Sequence, residues 1–324
     1  MLQVSEELPA FQRGDWEPPD TLMLVYEQDW HASLSLLVEL AKREVDVTLV
    51  AKSRAEASDA RSLWPPGSTN VRVLNLPLDT PWVRDFGPLQ LRGDRGELWW
   101  LDPKYSDERA QDDRLPELVA ELFEVPLVEA PFSLDGGGLS SNGRGLCAMT
   151  DMSFYDLQIA MEEPAVQDET LRALGCQALV VTPAIPNEPT GHIDMLVQFV
   201  APDRALVAYS AEEHGLGPAE VEHAVDVALE AILAGAQALG QPLEVVRVPL
   251  VVQKDLFYSY VNGVGLDRQY FAPSFASVPQ SVENAAHLQL QSALPQHQVF
   301  PIDAELMAAR GGALHCVTLG LALD

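Results

Sequence analysis

Five turn-bounded segments recur along this chain at a coarse period, and that recurrence limits the available folds more than any other feature. Asp85, Gly137, His192, Tyr260 and Cys316 mark them, with separations of 52, 55, 68 and 56 residues. Five units in 324 residues would average about 65 each, which is compatible with a five-unit arrangement. Short strands alternate with helices between the markers. Strands are expected near Val45 to Val50, Val71 to Leu76, Glu97 to Leu101, Val125 to Glu129, Leu146 to Met149, Ala178 to Thr182, Ile193 to Val200, Ala205 to Ala208, Leu243 to Val248, Phe257 to Gly265 and Ala313 to Leu319. Helices are expected over Asp29 to Glu44, Ser53 to Leu63, Leu115 to Phe123, Ala219 to Leu239, Ser281 to Ala293 and Ala304 to Ala308. Ser53 and Glu56 form the spacing of a capping box. No glycine-rich fingerprint follows the first strand, which argues against a doubly wound nucleotide-binding fold. The pattern suggests a propeller-like or otherwise pseudo-symmetric α/β fold.

Charge then removes whole classes of partner. Twenty Lys and Arg stand against 48 Asp and Glu, a net charge of −28. Nucleic acid and anionic membrane surfaces need a basic footprint, so neither is expected. A small cationic ligand is favoured by the same field. No run is long and apolar enough for a membrane helix. The opening stretch lacks a basic region followed by an apolar core, so no signal peptide is expected. Cys147, Cys176 and Cys316 are few and odd in number. A disulfide framework is therefore not expected, and a reducing, cytoplasmic setting is. Cys147, in an apolar strand, and Cys176, at a turn, read as inert buried residues.

Four segments carry chemistry-bearing side chains. In Trp82-Val83-Arg84-Asp85-Phe86, read as a strand, Arg84 and Asp85 point to opposite faces and need not pair. In Gly191-His192-Ile193-Asp194, His192 and Asp194 share one face of a strand. A carboxylate beside an imidazole tunes a general acid–base. In Gly311-Gly312-Ala313-Leu314-His315-Cys316, Cys316 lies on a glycine-led strand while His315 faces the other way. A thiol there is either an inert core residue or a nucleophile. Asp135-Gly136-Gly137-Gly138 lets backbone approach a ligand closely, or makes a tight turn between strands. A phosphate loop would want a lysine and a following helix, and a metal site would want clustered ligand spacing, so neither is expected.

Together these segments resemble one family. Asp79-x-Pro81-Trp82-Val83-Arg84-Asp85-x-Gly87-Pro88, then Gly136-Gly137, Gly191-His192-Ile193-Asp194 and Gly311-Gly312-x-x-His315-Cys316 are similar to the motifs of agmatine deiminases and bacterial-type peptidyl-arginine deiminases. The match runs in order from Trp16-Glu17-Pro18 to Cys316. The resemblance implies the pentein fold, a five-bladed α/β propeller with pseudo-fivefold symmetry, as a single domain over residues 1–324. It implies cysteine-dependent hydrolysis of a guanidinium group to a ureido product and ammonia, through a covalent amidino-cysteine intermediate and without metal or organic cofactor. Cys316 would be the nucleophile and His192 the acid–base, with Asp85 and Asp194 as the carboxylates that hold the guanidinium. Trp82 and Gly137 would join the substrate-binding wall. Tyr260-Val261-Asn262 is similar to the family's Tyr-x-Asn strand and places Asn262 near the site. A small cationic guanidine is the partner implied, with polyamine metabolism as its setting, and a homo-oligomer is compatible with it.

The tail of that guanidine is left open. Asp151-Met152-Ser153-Phe154-Tyr155-Asp156 lacks the arginine the family carries there, and Phe271 to Ser277 lacks its aspartate. Agmatine, free arginine and peptidyl arginine all remain candidates. An amidinotransferase or dihydrolase on the same fold, and a catalytically silent binding protein, are the alternative functions.

Overall fold

The computed structural model describes residues 2–4, 10–93, 95–159, 170–210 and 219–324. The stretch read for a leader falls partly outside them. Among the described residues the strands form five sheets, and each sheet is built around the same ββαβ unit. Two strands pair as a hairpin, a helix crosses over, and a third strand returns parallel to the second. In the first unit, Leu89–Gly93 and Leu98–Lys104 are antiparallel, helix Leu115–Phe123 follows, and Leu127–Ser133 is the parallel strand. The second unit runs Ser140–Ser141, Leu146–Thr150, helix Asp151–Ile159 and Ala178–Thr182. The third runs Val197–Ala201, Arg204–Ser210, helix Ala219–Ala238 and Glu244–Gln253. The fourth runs Val264–Gly265, Gln269–Ser274, helix Gln280–Ala293 and Gln298–Asp303. The fifth joins the two ends of the chain. Thr318–Leu321 pairs antiparallel with Thr21–Val25, helix His31–Ala41 crosses over, and Asp46–Ala51 lies parallel. This is the five-bladed α/β propeller expected from the resemblance.

Local sequence explains these elements. Ser53 Oγ accepts from Glu56 N at 3.2 Å while Glu56 accepts from Ser53 N at 3.0 Å, so helix Arg54–Leu63 starts on the expected capping box. Helix Ala219–Ala238 buries Val221, Ala224, Val225, Ala228, Ile232 and Ala236, a stripe at helical spacing. Each large aliphatic side chain so buried contributes about 1.5–3 kcal/mol. Gly235 faces Val180 of the second unit so closely that a β-carbon would collide with it. The third unit's helix thereby seats on the second unit's sheet.

The five sequence markers take on a structural meaning. Asp85, Gly137, His192, Tyr260 and Cys316 sit 4, 3, 5, 4 and 2 residues before the first strand of their respective units, which start at Leu89, Ser140, Val197, Val264 and Thr318. They occupy equivalent loops of five equivalent blades. Equivalent loops in a propeller meet at its axis, so residues far apart in sequence are gathered at one place.

Two expectations about the scaffold are corrected. Cys147 and Cys176 are bridged by a disulfide, with Cα atoms 5.6 Å apart, and only Cys316 is free. The parallel pairing of Leu146 with Ala178 sets the two segments side by side, which a separation of 29 residues does not announce. The strand expected over Phe257 to Gly265 is two strands, Leu256–Ser259 and Val264–Gly265, broken by the turn that carries Asn262. No helix among the described residues is long and apolar enough to cross a membrane.

Candidate active site

Cys316 is held in a turn, not in the strand expected from its sequence. Thr318–Leu321 begins two residues later. Gly311 takes φ +92°, a left-handed conformation that glycine adopts without steric cost. A β-carbon on Gly312 would fall 2.6 Å from the Trp82 ring and 3.1 Å from Cys316 Cβ. Trp82 itself packs on Trp30 with ring centroids 5.7 Å apart. The two glycines therefore let an aromatic wall close against the turn that presents the thiol.

Asp85 lies on the short helix Val83–Phe86, again not a strand. Arg84 and Asp85 do not pair. Arg84 Nη1 instead meets Asp15 Oδ1 at 2.9 Å. His192 has extended backbone, and Asp194 follows in a one-turn 3-10 helix over Ile193–Met195, so they do not sit as strand neighbours on one face. The sheet begins only at Val197.

These loops nevertheless bring the side chains together. His192 Nδ1 lies 3.4 Å from Asp85 Oδ1, and its Nε2 lies 3.3 Å from Asp135 Oδ2. Asp194 Oδ2 stands 3.6 Å from Cys316 Sγ. Asn262 Nδ2 donates to Cys316 Sγ at 3.3 Å and to the Asp194 carbonyl at 3.3 Å. A β-carbon on Gly137 would sit 2.6 Å from Asp85 Oδ1, 2.7 Å from His192 Nδ1 and 3.3 Å from Asp194 Oδ2. Gly137 thus leaves open the space that all three groups face. Asp85, His192, Asp194, Asn262 and Cys316 are all buried.

Three participants escaped the sequence reading. His315 does not face away: its Nδ1 donates to Asp194 Oδ2 at 2.7 Å, and its Nε2 reaches Asp15 Oδ2 at 3.2 Å. Asp135, on the second partner nitrogen of His192, could have been read from its place directly before the three glycines. Asp15 had as its signal only its position beside Trp16-Glu17-Pro18.

The electrostatics separate the two carboxylates. Burial pushes the Asp85 carboxyl up to about 7, and Asp135 and Asp194 add to the push against the opposing charge of His192. Burial works against the imidazolium of His192, yet Asp85, Asp135 and Asp194 outweigh it and hold it up at about 10. Asp194 goes the other way. Its burial is overcome by the hydrogen bond and charge of His315, with His192 and Arg84 beyond, and its carboxyl is held below the usual range. Burial, then Asp194 and Asp85, push the Cys316 thiol well up. Asp85 Oδ1 and Asp194 Oδ1 are both buried without a hydrogen-bond donor among the described residues. Asp85 Oδ1 has only the charge of His192 Nδ1 at 3.4 Å, and a buried oxygen without a donor is costly.

A cavity of about 850 Å³ is lined by Asp135 and His192 of this cluster. Tyr105, Phe132, Asp151, Met152 and Tyr155 line it as well, with no Lys or Arg among the described lining residues.

Residues 13–321 match the model of the Porphyromonas-type peptidyl-arginine deiminase family. The chain belongs to this family. A Streptomyces coelicolor protein provisionally named an agmatine deiminase is 26% identical over 305 residues, covering 87% of this chain and 86% of the relative. The agmatine deiminase of Enterococcus faecalis superposes with a TM-score of 0.83 at 18% identity, over 97% of this chain and 96% of the other. That of C. jejuni gives 0.78 at 19% identity, over 98% of both chains. Likeness at that identity speaks for the fold.

Proposed function

We propose that this family member hydrolyses a guanidinium group to a ureido product and ammonia, with Cys316 as nucleophile. The observation that carries the reading is the pair of buried, undonated carboxylate oxygens, Asp85 Oδ1 and Asp194 Oδ1, beside one free thiol. A guanidinium is planar, permanently charged, and donates in forks that match carboxylates. Counted as ionised, four carboxylates (Asp15, Asp85, Asp135, Asp194) meet three cations (Arg84, His192, His315) here. One monovalent cation brings that sum to zero.

Bound charge also prepares the nucleophile. Without ligand, burial and two carboxylates favour the neutral thiol. A guanidinium between them reverses the field at sulfur and lowers the cost of the thiolate. As the cation binds, Cys316 gives its thiol proton to solvent, and the thiolate adds to the guanidinium carbon. Charged His192 gives its proton to the departing nitrogen, which leaves as ammonia, and an amidino-cysteine remains. His192, now neutral, takes a proton from water as that water's oxygen bonds to the same carbon. The carbon–sulfur bond breaks, the hydroxyl proton passes to solvent, and the thiolate and the neutral ureido product separate. Asn262 steadies the sulfur, Trp82 backs the turn beneath it, and Gly137 leaves the ligand its room. The acidic cavity, with Asp135 and Asp151, favours a cationic tail such as that of agmatine over the carboxylate of free arginine. The relatives' names point the same way.

Testing this requires a panel of guanidines assayed for ureido product and ammonia, with and without an acceptor amine, using wild type and Cys316→Ser. Agmatine is expected to turn over without acceptor, and Cys316→Ser is expected to be inactive. No guanidine turned over by wild type would refute the reading. Full activity in Cys316→Ser would refute the mechanism.

A further inference from the structure

Guanidine chemistry leaves Arg84, Asp15 and His315 without a task, although all three are packed against the site. They come from separate segments: the turn before Trp16, the helix Val83–Phe86 and the turn of Cys316. We propose that His315 is a positioning residue, which fixes Asp194 in place through a chain running His315–Asp15–Arg84. This rests on the hydrolase reading above and deepens it.

The geometry is continuous. Asp194 Oδ2 accepts from His315 Nδ1 at 2.7 Å, Asp15 Oδ2 accepts from His315 Nε2 at 3.2 Å, and Asp15 Oδ1 accepts from Arg84 Nη1 at 2.9 Å. The side chains of His315 and Asp194 are each 3% exposed. Both ring nitrogens meet a carboxylate, and only the doubly protonated imidazole donates from both. The groups facing His315 are Asp15, Asp194 and Arg84, with Arg13 beyond Asp15. Burial and Arg84 oppose its charge, and Asp15 and Asp194 prevail, so it stays protonated above its usual range. Asp194 also faces His192, Asp85 and Cys316. With Oδ2 occupied by His315, Oδ1 is left as the oxygen that lacks a donor. The chain therefore holds Oδ2 at its place 3.6 Å from Cys316 Sγ. Arg84, which a surface reading would pair with Asp85, serves the opposite carboxylate at the far end of this chain.

His315 is also fixed through its backbone, since its N–H donates to Asn262 Oδ1 at 3.1 Å and to the Asn262 carbonyl at 3.2 Å. Side-chain variants keep those bonds, and His315→Asn still offers a neutral donor near the Nδ1 position.

Two arms test the proposal. Histidine-selective ¹⁵N NMR on the unliganded full chain resolves its seven histidines, and His315→Asn identifies the resonance that disappears. His315 is expected doubly protonated at neutral pH, and Asp15→Asn is expected to lower its midpoint by about one unit or more. A neutral His315 at pH 7, or a midpoint indifferent to Asp15→Asn, overturns the proposal whether or not the protein is active. In kinetics, His315→Phe is expected to raise KM for the guanidine about ten- to hundredfold, because a charge-assisted hydrogen bond to the cation's partner is lost. The effect on kcat should be smaller, since the cation is held in ground and transition states alike. His315→Asn should recover most of the KM loss. Equal impairment by Asn and Phe, or a loss confined to kcat, also overturns it. If wild type turns over no guanidine, the hydrolase reading falls and the NMR arm still decides the chain.

Discussion

Asp85 and Asp194 are the same chemical group, a few ångströms apart, and the fold treats them oppositely. Asp194 faces inward to the buried His315, and through it to the partly exposed Asp15 and Arg84, in a chain of alternating charge. Asp85 faces His192, whose other nitrogen meets the half-exposed Asp135 in the lining of the cavity. One carboxyl is held below its usual range, while the other is pushed up to about 7 beside His192, the proposed acid–base. Environments that push two carboxylates apart assign them different work. On this view Asp194 anchors the cation, and Asp85 couples binding to the protonation of His192.

Removing the anchor should have the largest effect. Asp194→Asn deletes the substrate's fixed partner and strands His315, and kcat/KM is expected to fall about a thousandfold. Steady-state kinetics check it, and a loss of less than tenfold would erase the distinction between the two walls. The next effect is on pH. Asp85 must be ionised to hold a cation, and burial raises its carboxyl to about 7, so kcat/KM should fall about tenfold per unit below pH 7. His192 near 10 sets the alkaline limb, where the general acid is lost. The same shift acts on stability with the opposite sense. The folded state binds the Asp85 proton more tightly than the unfolded chain, so this group's contribution weakens as pH rises from about 4 to 7. An acid limb that stays near pH 4 would remove the asymmetry. The smallest effect is expected at the open wall. Asp135→Asn takes away one of three carboxylates holding the imidazolium, so the alkaline limb should move down from about 10, with less than a tenfold loss in kcat/KM at pH 7. A pH–rate profile of the variant reads this directly, and an unmoved limb would mean that Asp85 and Asp194 suffice.

The two walls were unequally legible in the sequence. Asp85, His192, Asp194 and Cys316 stand in short motifs dense in glycine and charge, and their spacing matched the repeat of the ββαβ unit. The backbone around them was misread as strand in each case. Period-two reasoning assumes a ladder of partners, whereas these residues sit in the loops before the ladders begin. That error turned His315 away from Asp194, because strand neighbours alternate faces and turn neighbours do not. Asp15 lies 300 residues from His315, and no local pattern reports a contact of that range. Cys147 and Cys176 were likewise read one at a time, and only the parallel register of their two segments makes them a pair.

The sequence by itself determined the kind of architecture and singled out Asp85, His192, Asp194 and Cys316 as candidates, without His315, Asp15 or Asp135. Hydrophobic periodicity and turn chemistry are local, so the five units, most helix spans and the Ser53 cap could be read from neighbours along the chain. Which group touches which was decided only by the tertiary structure. Five equivalent loops converge on one axis, and a carboxylate's charge depends on what surrounds it in space. The difference between Asp85 and Asp194 is therefore a property of the packed site and is written in neither motif.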